Sequence, residues 1–172
     1  NYYKKVVLNA GSSDISIGGN IYTSEITVGC KDVEFSNKIF VGSVTIAATG
    51  SVSINSLVAQ SLTINSGSPI KMAGTIKLNG SNDFIINYPL LLSNDTEFDV
   101  AGKIIIQDSG IIKSDSSAGK NLTLTASSIQ LDNENPLGDN ATGKLGTITI
   151  NSPITLNSDS EIYSTETVFE GT

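Results

Sequence analysis

The sequence predicts an all-β fold, a right-handed parallel β-helix of about eight to nine triangular coils with no substantial helix. A short alternating apolar motif recurs along the whole chain, its copies are spaced near twenty residues apart, and most repeats contain two further alternating segments. Alternation with a period of two indicates strands rather than helices. Recurrence at a nearly fixed spacing indicates coils that stack on one another and share one core.

The recurring motif is a three-residue strand in which, in most copies, two apolar residues flank one outward residue. Its copies begin at Val6, Ile26, Val44, Leu62, Phe84, Ile104, Leu122, Ile148 and Val168. The steps between these first residues are 20, 18, 18, 22, 20, 18, 26 and 20. Stacking pairs the backbone groups of each strand with those of the next coil, so we predict that all these strands lie in one column.

A second alternating strand follows the first within most repeats, and many repeats contain a third. The second set comprises Ile15/Ile17, Val33/Phe35, Val52/Ile54, Ile70/Met72, Leu90/Leu92, Ile129/Leu131 and Ile154/Leu156. The third set comprises Ile39/Val41, Ile76/Leu78 and Phe98/Val100, with the weaker Ile21, Leu57/Val58 and Ile162. Three short strands per turn predict a triangular coil whose inward residues form a dry interior.

Polar residues are expected at the corners of this coil. Asn9, Asn65, Asn87 and Asn151 each follow a first strand directly, and Gly29 takes the matching place in another coil. Asn tolerates the left-handed backbone of a sharp corner better than any residue except Gly. We therefore predict left-handed corners at these residues, with side chains that stack into ladders.

Two segments depart from the repeat. Residues 132–143, in the 26-residue repeat, are rich in turn formers and predict a solvated loop insertion that leaves the rod at a corner and can be deleted with little loss of stability. A role of this loop in recognition is the less favoured alternative. Residues 114–119 predict a smaller loop in a coil that has lost its third strand.

The whole chain, residues 1–172, is expected to form a single solenoid domain. Because it enters a strand almost at once, we interpret it as a segment of a longer protein.

Composition disfavours several classes of partner. The chain has 10 basic and 17 acidic residues, a net charge of −7, and every basic residue is Lys. An acidic surface without a basic stripe disfavours nucleic acid and anionic membrane surfaces as partners, since phosphate binding needs clustered positive charge. No apolar run is long enough to span a membrane. Cys30 is the single cysteine, and we expect a small buried or corner residue rather than a nucleophile.

No catalytic, cofactor-binding or metal-binding residue is assigned from the sequence. His, Arg and Trp are absent, which removes histidine-based nucleophilic catalysis and histidine metal sites. The nearest approach to an acidic cluster is Asp95, Asp99, Asp108 and Asp115, which we interpret as solvated loop charge. Residues 157–161 contain carboxylate and amide oxygens but no recognised calcium motif. A polysaccharide-acting enzyme would require Asp residues from neighbouring coils to converge on one cleft.

The outward residues of the first strands are predicted to form a column on the rod surface. Its members are Val7, Thr27, Thr45, Thr63, Ile85, Ile105, Thr123, Thr149 and Phe169. Thr suits the solvent face of a sheet, whereas the apolar members allow a packing surface for a partner. We interpret the column as ordinary sheet surface, with the packing surface left open.

Three segments carry a resemblance to a known class of proteins. SLTINSGSPI at 61–70, NLTLTASSI at 121–129 and GTITINSPITL at 146–156 resemble repeats of bacterial filamentous-haemagglutinin-type exoproteins and autotransporter passenger domains. The resemblance spans most of the chain and implies a secreted or surface-exposed β-helix of a Gram-negative bacterium, commonly an adhesin or a toxin stalk. It carries over no functional residue.

We therefore expect a non-enzymatic structural or adhesive segment, extracellular or at the bacterial surface, whose partner is a protein or glycan of a host or neighbouring cell. The alternative is a subunit of an extracellular filament or sheath, because both ends of the chain have strand-like sequence without an evident cap. Such ends allow self-association through solenoid stacking. A polysaccharide-acting β-helix enzyme is the third hypothesis, and no cofactor is expected for any of them.

Overall fold

A computed structural model describes residues 4–170, apart from the side chain of Phe40, and shows a parallel β-solenoid of about eight coils. No helix occurs within the described residues. The strands are β1 (Val6–Asn9), β2 (Ile15–Ile17), β3 (Ile21–Cys30), β4 (Val33–Phe35), β5 (Ile39–Ala48), β6 (Val52–Ala59), β7 (Ser61–Ser66), β8 (Ile70–Leu78), β9 (Phe84–Ile86), β10 (Pro89–Val100), β11 (Ile104–Ile106), β12 (Ile111–Ser114), β13 (Leu122–Ala126), β14 (Ile129–Leu131), β15 (Leu145–Ile150), β16 (Ile154–Leu156) and β17 (Ser164–Phe169). The predicted fold class is confirmed.

Each coil places residues on three faces, and long strands such as β3 and β10 run across a corner from one face to the next. We number the coils 1 to 8 by their first-face residues, which are Val6, Ile26, Val44, Leu62, Phe84, Ile104, Ile129 and Ile154. The second-face ladder joins Ile15, Val33, Val52, Ile70, Leu90, Ile112, Leu137 and Ile162. The third-face ladder joins Ile21, Ile39, Leu57, Ile76, Phe98, Leu124, Ile150 and Phe169.

The first face is interrupted between coils 4 and 5. Its ladder runs from Val6 to Leu62 and a separate ladder runs from Phe84 to Ile154, but within residues 4–170 no ladder joins β7 to β9. In coils 1 to 3 the chain turns from the third face to the first within one strand or across Gln60 alone. Residues 79–83 form a longer corner before β9. We attribute the interruption to this longer corner, which displaces β9 from β7.

The core is a single apolar column inside the rod. Its inward residues are fully or almost fully buried from coil 2 to coil 7, except for Leu62 and Ala126, which are partly buried. Phe84 and Phe98 lie on different faces of coil 5, and their rings stack at 5.8 Å between centroids. Two aromatic rings fill the interior where the first face is interrupted. Burial of this apolar surface is the main stabilising contribution, since a parallel solenoid has few local contacts.

The predicted column of first strands is wrong in its second half. Leu122, Ile148 and the last strand lie on the third face, whereas Ile129–Leu131 and Ile154–Leu156, predicted as second strands, form the first face. In the last strand Thr167 and Phe169, not Val168 and Glu170, continue the inward register. Strands on all three faces have the same apolar-polar-apolar triplet. The pattern therefore does not show which face a triplet belongs to, and one lengthened corner is enough to assign all later triplets to the wrong face.

The two predicted departures from the repeat are also different in the structure. Residues 114–119 were predicted to lie in a coil without a third strand, but β13 supplies the third face of coil 6. The segment 132–143 does not lie wholly outside the rod. At its centre Leu137 is fully buried and continues the second-face ladder between Ile112 and Ile162, so this segment supplies the second face of coil 7.

Asn residues do not form the predicted left-handed corners. Among the described residues other than Gly, only Ser56 and Asp108 have positive φ, at 70° and 55°. Asn9 pairs in register with Gly29, so no Asn stacks on it from the next coil, and its Oδ1 instead accepts a hydrogen bond from the Gly11 N–H at 3.1 Å. The corners are set by side chains that bond backbone groups, described below.

Candidate functional site

The four acids singled out in the sequence lie in different places. Asp99 is on the outward side of the third face and forms an ion pair with Lys77. Asp95 lies at the corner between the second and third faces, where its Oδ1 accepts the backbone N–H of Asn121 at 2.9 Å. Each of these two carboxylates is thus engaged by a neighbour on an adjacent coil.

The other two acids are separated from them and from each other. Asp108 lies at the corner between the first and second faces, after β11. Asp115 follows β12 at the opposite end of the second face, and its backbone N–H donates to the carbonyl of Leu92 at 3.1 Å. The four acids therefore do not converge on one cleft.

Acidic and amide side chains at the corners hold neighbouring coils together. The Oδ1 atoms of Asp32, Asp83, Asp95 and Asn121 each accept a backbone N–H from the next coil, at 2.5, 3.0, 2.9 and 2.9 Å. At Asp32, hydrogen bonds from Lys31 and then from Ser51 hold the pKa of the carboxyl well below its usual range. Part of the acidic composition therefore serves to satisfy backbone donors at turns.

Two cavities collect acids from neighbouring coils. One, of about 400 Å³, is lined by Asp14, Asp32 and Glu34 at the corner between the first and second faces of coils 1 to 3. The other, the corner groove, of about 490 Å³, lies at the same corner of coils 6 to 8. Its lining residues are Asp108, Ser109, Gly110, Ile111, Asp132, Asn133, Glu134, Asn135 and Ser158. Equivalent turns of three successive coils thus form one polar surface.

Asp132 is the most constrained acid of the groove. Its Oδ2 accepts the side-chain amide of Gln130 at 2.7 Å, and its Oδ1 accepts the side-chain amide of Asn157 at 2.7 Å. Because both oxygens are held by amide donors, the carboxylate has a fixed orientation. Both oxygens are therefore already used as acceptors within the turns of coils 7 and 8.

Asn133 joins the walls of the groove. Its side-chain amide donates to the carbonyls of Gly110 and Asp108 at 2.6 and 3.4 Å, and its own carbonyl accepts the Ser160 hydroxyl at 2.8 Å. Its Oδ1 is the one buried side-chain polar atom among the described residues without a hydrogen-bond partner. Asn133 therefore fixes the spacing between coils 6, 7 and 8 at the groove.

The groove presents acceptors and negative charge to solvent. Asp108 and Glu134 are exposed, and no Lys lines the cavity. Hydrolysis by two carboxyl groups needs one acid kept protonated by an apolar or crowded environment, opposite a second carboxylate. The exposed setting of Asp108 and Glu134 and the amide-bound state of Asp132 differ from that arrangement. Hydrogen bonding to a neutral or cationic polar ligand is the chemistry that this surface supports.

An ion pair beside the groove fastens the rest of segment 132–143. Lys113 Nζ lies 2.9 Å from Asp139 Oδ2, and both side chains are mostly buried. The Lys113 ammonium, and after it the Ala141 N–H, lower the pKa of the Asp139 carboxyl. The turn after Leu137 is therefore tied to the second face of coil 6.

The structure also places Cys30 and the residues of the predicted outward column. Cys30 is buried, as predicted, and burial, followed by nearby Asp32 and Asp14, raises the pKa of its thiol. The predicted outward column is divided, because Thr123 and Thr149 pair on the third face while Val7 and Ile85 are exposed on the first. Thr123 lines a cavity of about 350 Å³ together with Asp95, Glu97 and Asn121 on coils 4 to 6.

No metal centre is assembled in the part of the chain that the structure describes, where no three Cys, Asp or Glu side chains are placed to hold an ion. In residues 157–161 the polar groups are used in the turn, since Glu161 accepts the Tyr163 hydroxyl and its N–H donates to the carbonyl of Glu134 at 2.7 Å. Residues 4–170 also contain no helix of the length and apolarity that a membrane crossing requires.

Sequence analysis did not identify the groove. The available signal was the turn-rich composition at residues 107–110, 132–135 and 157–160, which recurs after three strands. Those strands were assigned to two different faces, so the turns were not expected to meet. Comparison of the chain with protein-family models, curated proteins and solved structures gives no match.

Proposed function

We propose that this chain is a non-enzymatic, adhesive β-solenoid segment of a bacterial surface-exposed or secreted protein. The observation that carries the proposal is the polar corner groove on a continuous rod, which presents acceptors from three coils without an assembled acid-base pair. The resemblance of the repeats to filamentous-haemagglutinin-type exoproteins and autotransporter passengers supports the same function and an extracellular location. The partner is a glycan of a host or neighbouring cell.

A neutral glycan fits the groove better than an anionic one. Sugar hydroxyls donate hydrogen bonds to carboxylate oxygens, and the groove offers these from the exposed Asp108 and Glu134. An anionic glycan would be repelled because no basic side chain lines the cavity. The stacked backbone holds the three turns at fixed spacing, so little ordering free energy is needed on binding.

The test is binding of the purified chain to an array of immobilised neutral glycans and to intact cells. The double variant Asp108→Asn/Glu134→Gln keeps the shape of both side chains and removes two charge-assisted acceptors. We expect affinity to fall about tenfold or more, since hydrogen bonds to charged groups contribute about 1.5–3 kcal/mol each.

The matched control is Asp115→Asn/Glu170→Gln, which makes the same change of charge at exposed positions outside the corner groove, on coils 6 and 8. It should bind like the unaltered chain. Equal losses in both double variants, or no binding to any glycan or cell, would contradict the proposal. Saturable glycan hydrolysis that one Asp→Asn change abolishes would contradict its non-enzymatic part.

A filament subunit is the second candidate, favoured by one observation at the end of coil 8. Leu156 and Phe169 continue the inward register of the buried Leu131 and Ile150, yet they are 56% and 58% exposed. The first coil of another copy would cover them, with its Val6 and Ile21 continuing the same ladders. We expect Leu156→Ser to reduce association if copies stack end to end. Light scattering that shows a monomer at high concentration would reject this candidate.

A further inference from the structure

Residues 79–83 form the corner at which the first face is interrupted, and they begin with Asn79-Gly80. This is the one Asn-Gly pair in the sequence, and Asn79 is exposed. The corner connects coil 4 to coil 5 next to strand edges that no ladder joins. A chemical change in the main chain here would act on the junction between the two halves of the rod.

An Asn-Gly pair has a reaction of its own. After losing its proton, the main-chain nitrogen of Gly80 can attack the side-chain carbonyl carbon of Asn79. A new N–C bond closes a five-membered succinimide, and the side-chain nitrogen leaves as ammonia. Water then opens either carbonyl of the ring and gives aspartate or isoaspartate. Gly at the second position favours the reaction because it has no side chain to hinder the approach of the nitrogen.

The folded corner blocks this attack. The Gly80 N–H donates to the carbonyl of Gln60 at 3.0 Å, and the Asn79 N–H donates to the carbonyl of Ala59 at 2.8 Å. A Cβ placed on Gly80 would lie 2.1 Å from the Gln60 oxygen, so the backbone of the corner lies directly against the coil below. The hydrogen on the reacting nitrogen is therefore engaged in a hydrogen bond, and the nitrogen faces Gln60 rather than the side chain of Asn79.

We propose that Asn79 is a conditional modification site, converted to aspartate and isoaspartate when the corner between coils 4 and 5 opens and protected while it is closed. Isoaspartate adds one carbon to the main chain between residues 79 and 80. The two hydrogen bonds to Ala59 and Gln60 then cannot both form in register. Conversion therefore prevents the corner from closing again, and the covalent change persists after the corner has opened. This modification is separate from the adhesive function.

The test compares two rates on the full chain at mildly alkaline pH. Peptide mapping by mass spectrometry follows conversion at Asn79 and at the exposed Asn140 as an internal comparator, in buffer and in denaturant. Hydrogen exchange gives the protection of the Gly80 amide in buffer. We expect Asn79 to convert faster than Asn140 in denaturant. In buffer its conversion should be slower by the same factor by which the Gly80 amide is protected, because the reaction follows the open population.

Equal conversion at Asn79 and Asn140 in denaturant would overturn the assignment of the site. Fast conversion in buffer while the Gly80 amide stays protected would overturn the blocking mechanism. The variant Asn79→Asp, made with a normal main chain, separates charge from backbone length. It should retain protection at Gly80, whereas refolded isoaspartate protein should lose it, and equal protection in the two would refute the effect on corner closure.

Discussion

Ile64→Asp is expected to prevent folding of the rod. Ile64 lies on β7, 5% exposed, in register with the fully buried Ile46. Strand β7 is joined by a ladder to β5 and not to β9, so its position depends on its inward side chains. An unpaired carboxylate at this position costs several kcal/mol, a large part of a total stability of about 5–15 kcal/mol. Circular dichroism should show loss of β signal and of a cooperative melting transition.

The control on the same strand is Thr63→Asp. Thr63 is exposed and pairs in register with the exposed Thr45, so its carboxylate would stay in water without a charged neighbour in the ladder. We expect a change within about 1 kcal/mol, arising from the lower strand preference of Asp. If both variants unfold, or both fold, the inward and outward assignment of β7 is incorrect. Leu62 is a weaker site for this test, because it is only partly buried beside the interruption.

The alternation of apolar and polar residues was sufficient to predict the fold. Pairs such as Val33/Phe35 and Ile70/Met72 point inward in the structure as they do in the pattern. This signal is strong because a one-residue error would move every apolar side chain to the solvent face. Face identity is a different property. It depends on corner length, and the seven residues 115–121 form a corner long enough to shift the later triplets by one face.

The candidate site was less predictable than the fold. Asp108 and Asp132 were visible as turn residues, but only the correct faces place β11 under β14 and hence these turns at one corner. The hydrogen bonds to Asp132 come from Gln130 and Asn157, which no motif associates. The corner hydrogen bonds of Asp83 and Asp95 are likewise long-range in sequence. Such sites arise from stacking, so they follow only after the register is known.

Leu137 gives the sharpest test of that register. Composition places it within a loop, whereas the structure buries it fully between Ile112 and Ile162 on the second face. Around it the Ile112 N–H donates to the carbonyl of Pro136 at 3.0 Å, and the Gly138 N–H donates to the carbonyl of Ile112 at 2.8 Å. Gly138 has a φ of 78°, and a Cβ there would lie 2.0 Å from the Tyr163 oxygen. The segment therefore forms the packed second face of coil 7, which is reduced to one inward residue.

Leu137→Ala should therefore lower the free energy of unfolding by about 2–5 kcal/mol, as for other fully buried Leu residues. Deletion of residues 132–143 should go further and unfold coils 7 and 8, because Ile112 and Ile162 would lose the residue between them. Shortening a surface loop would cost only a few tenths of a kcal/mol by closure entropy.

The control Asn140→Ala, at an exposed position of the same segment, should stay within about 0.5 kcal/mol. Hydrogen exchange should find the amides of Gly138 and Tyr163 strongly protected, since both donate to the stacked coils. Fast exchange at these two amides, together with unchanged melting of Leu137→Ala, would show that the segment is a surface loop after all.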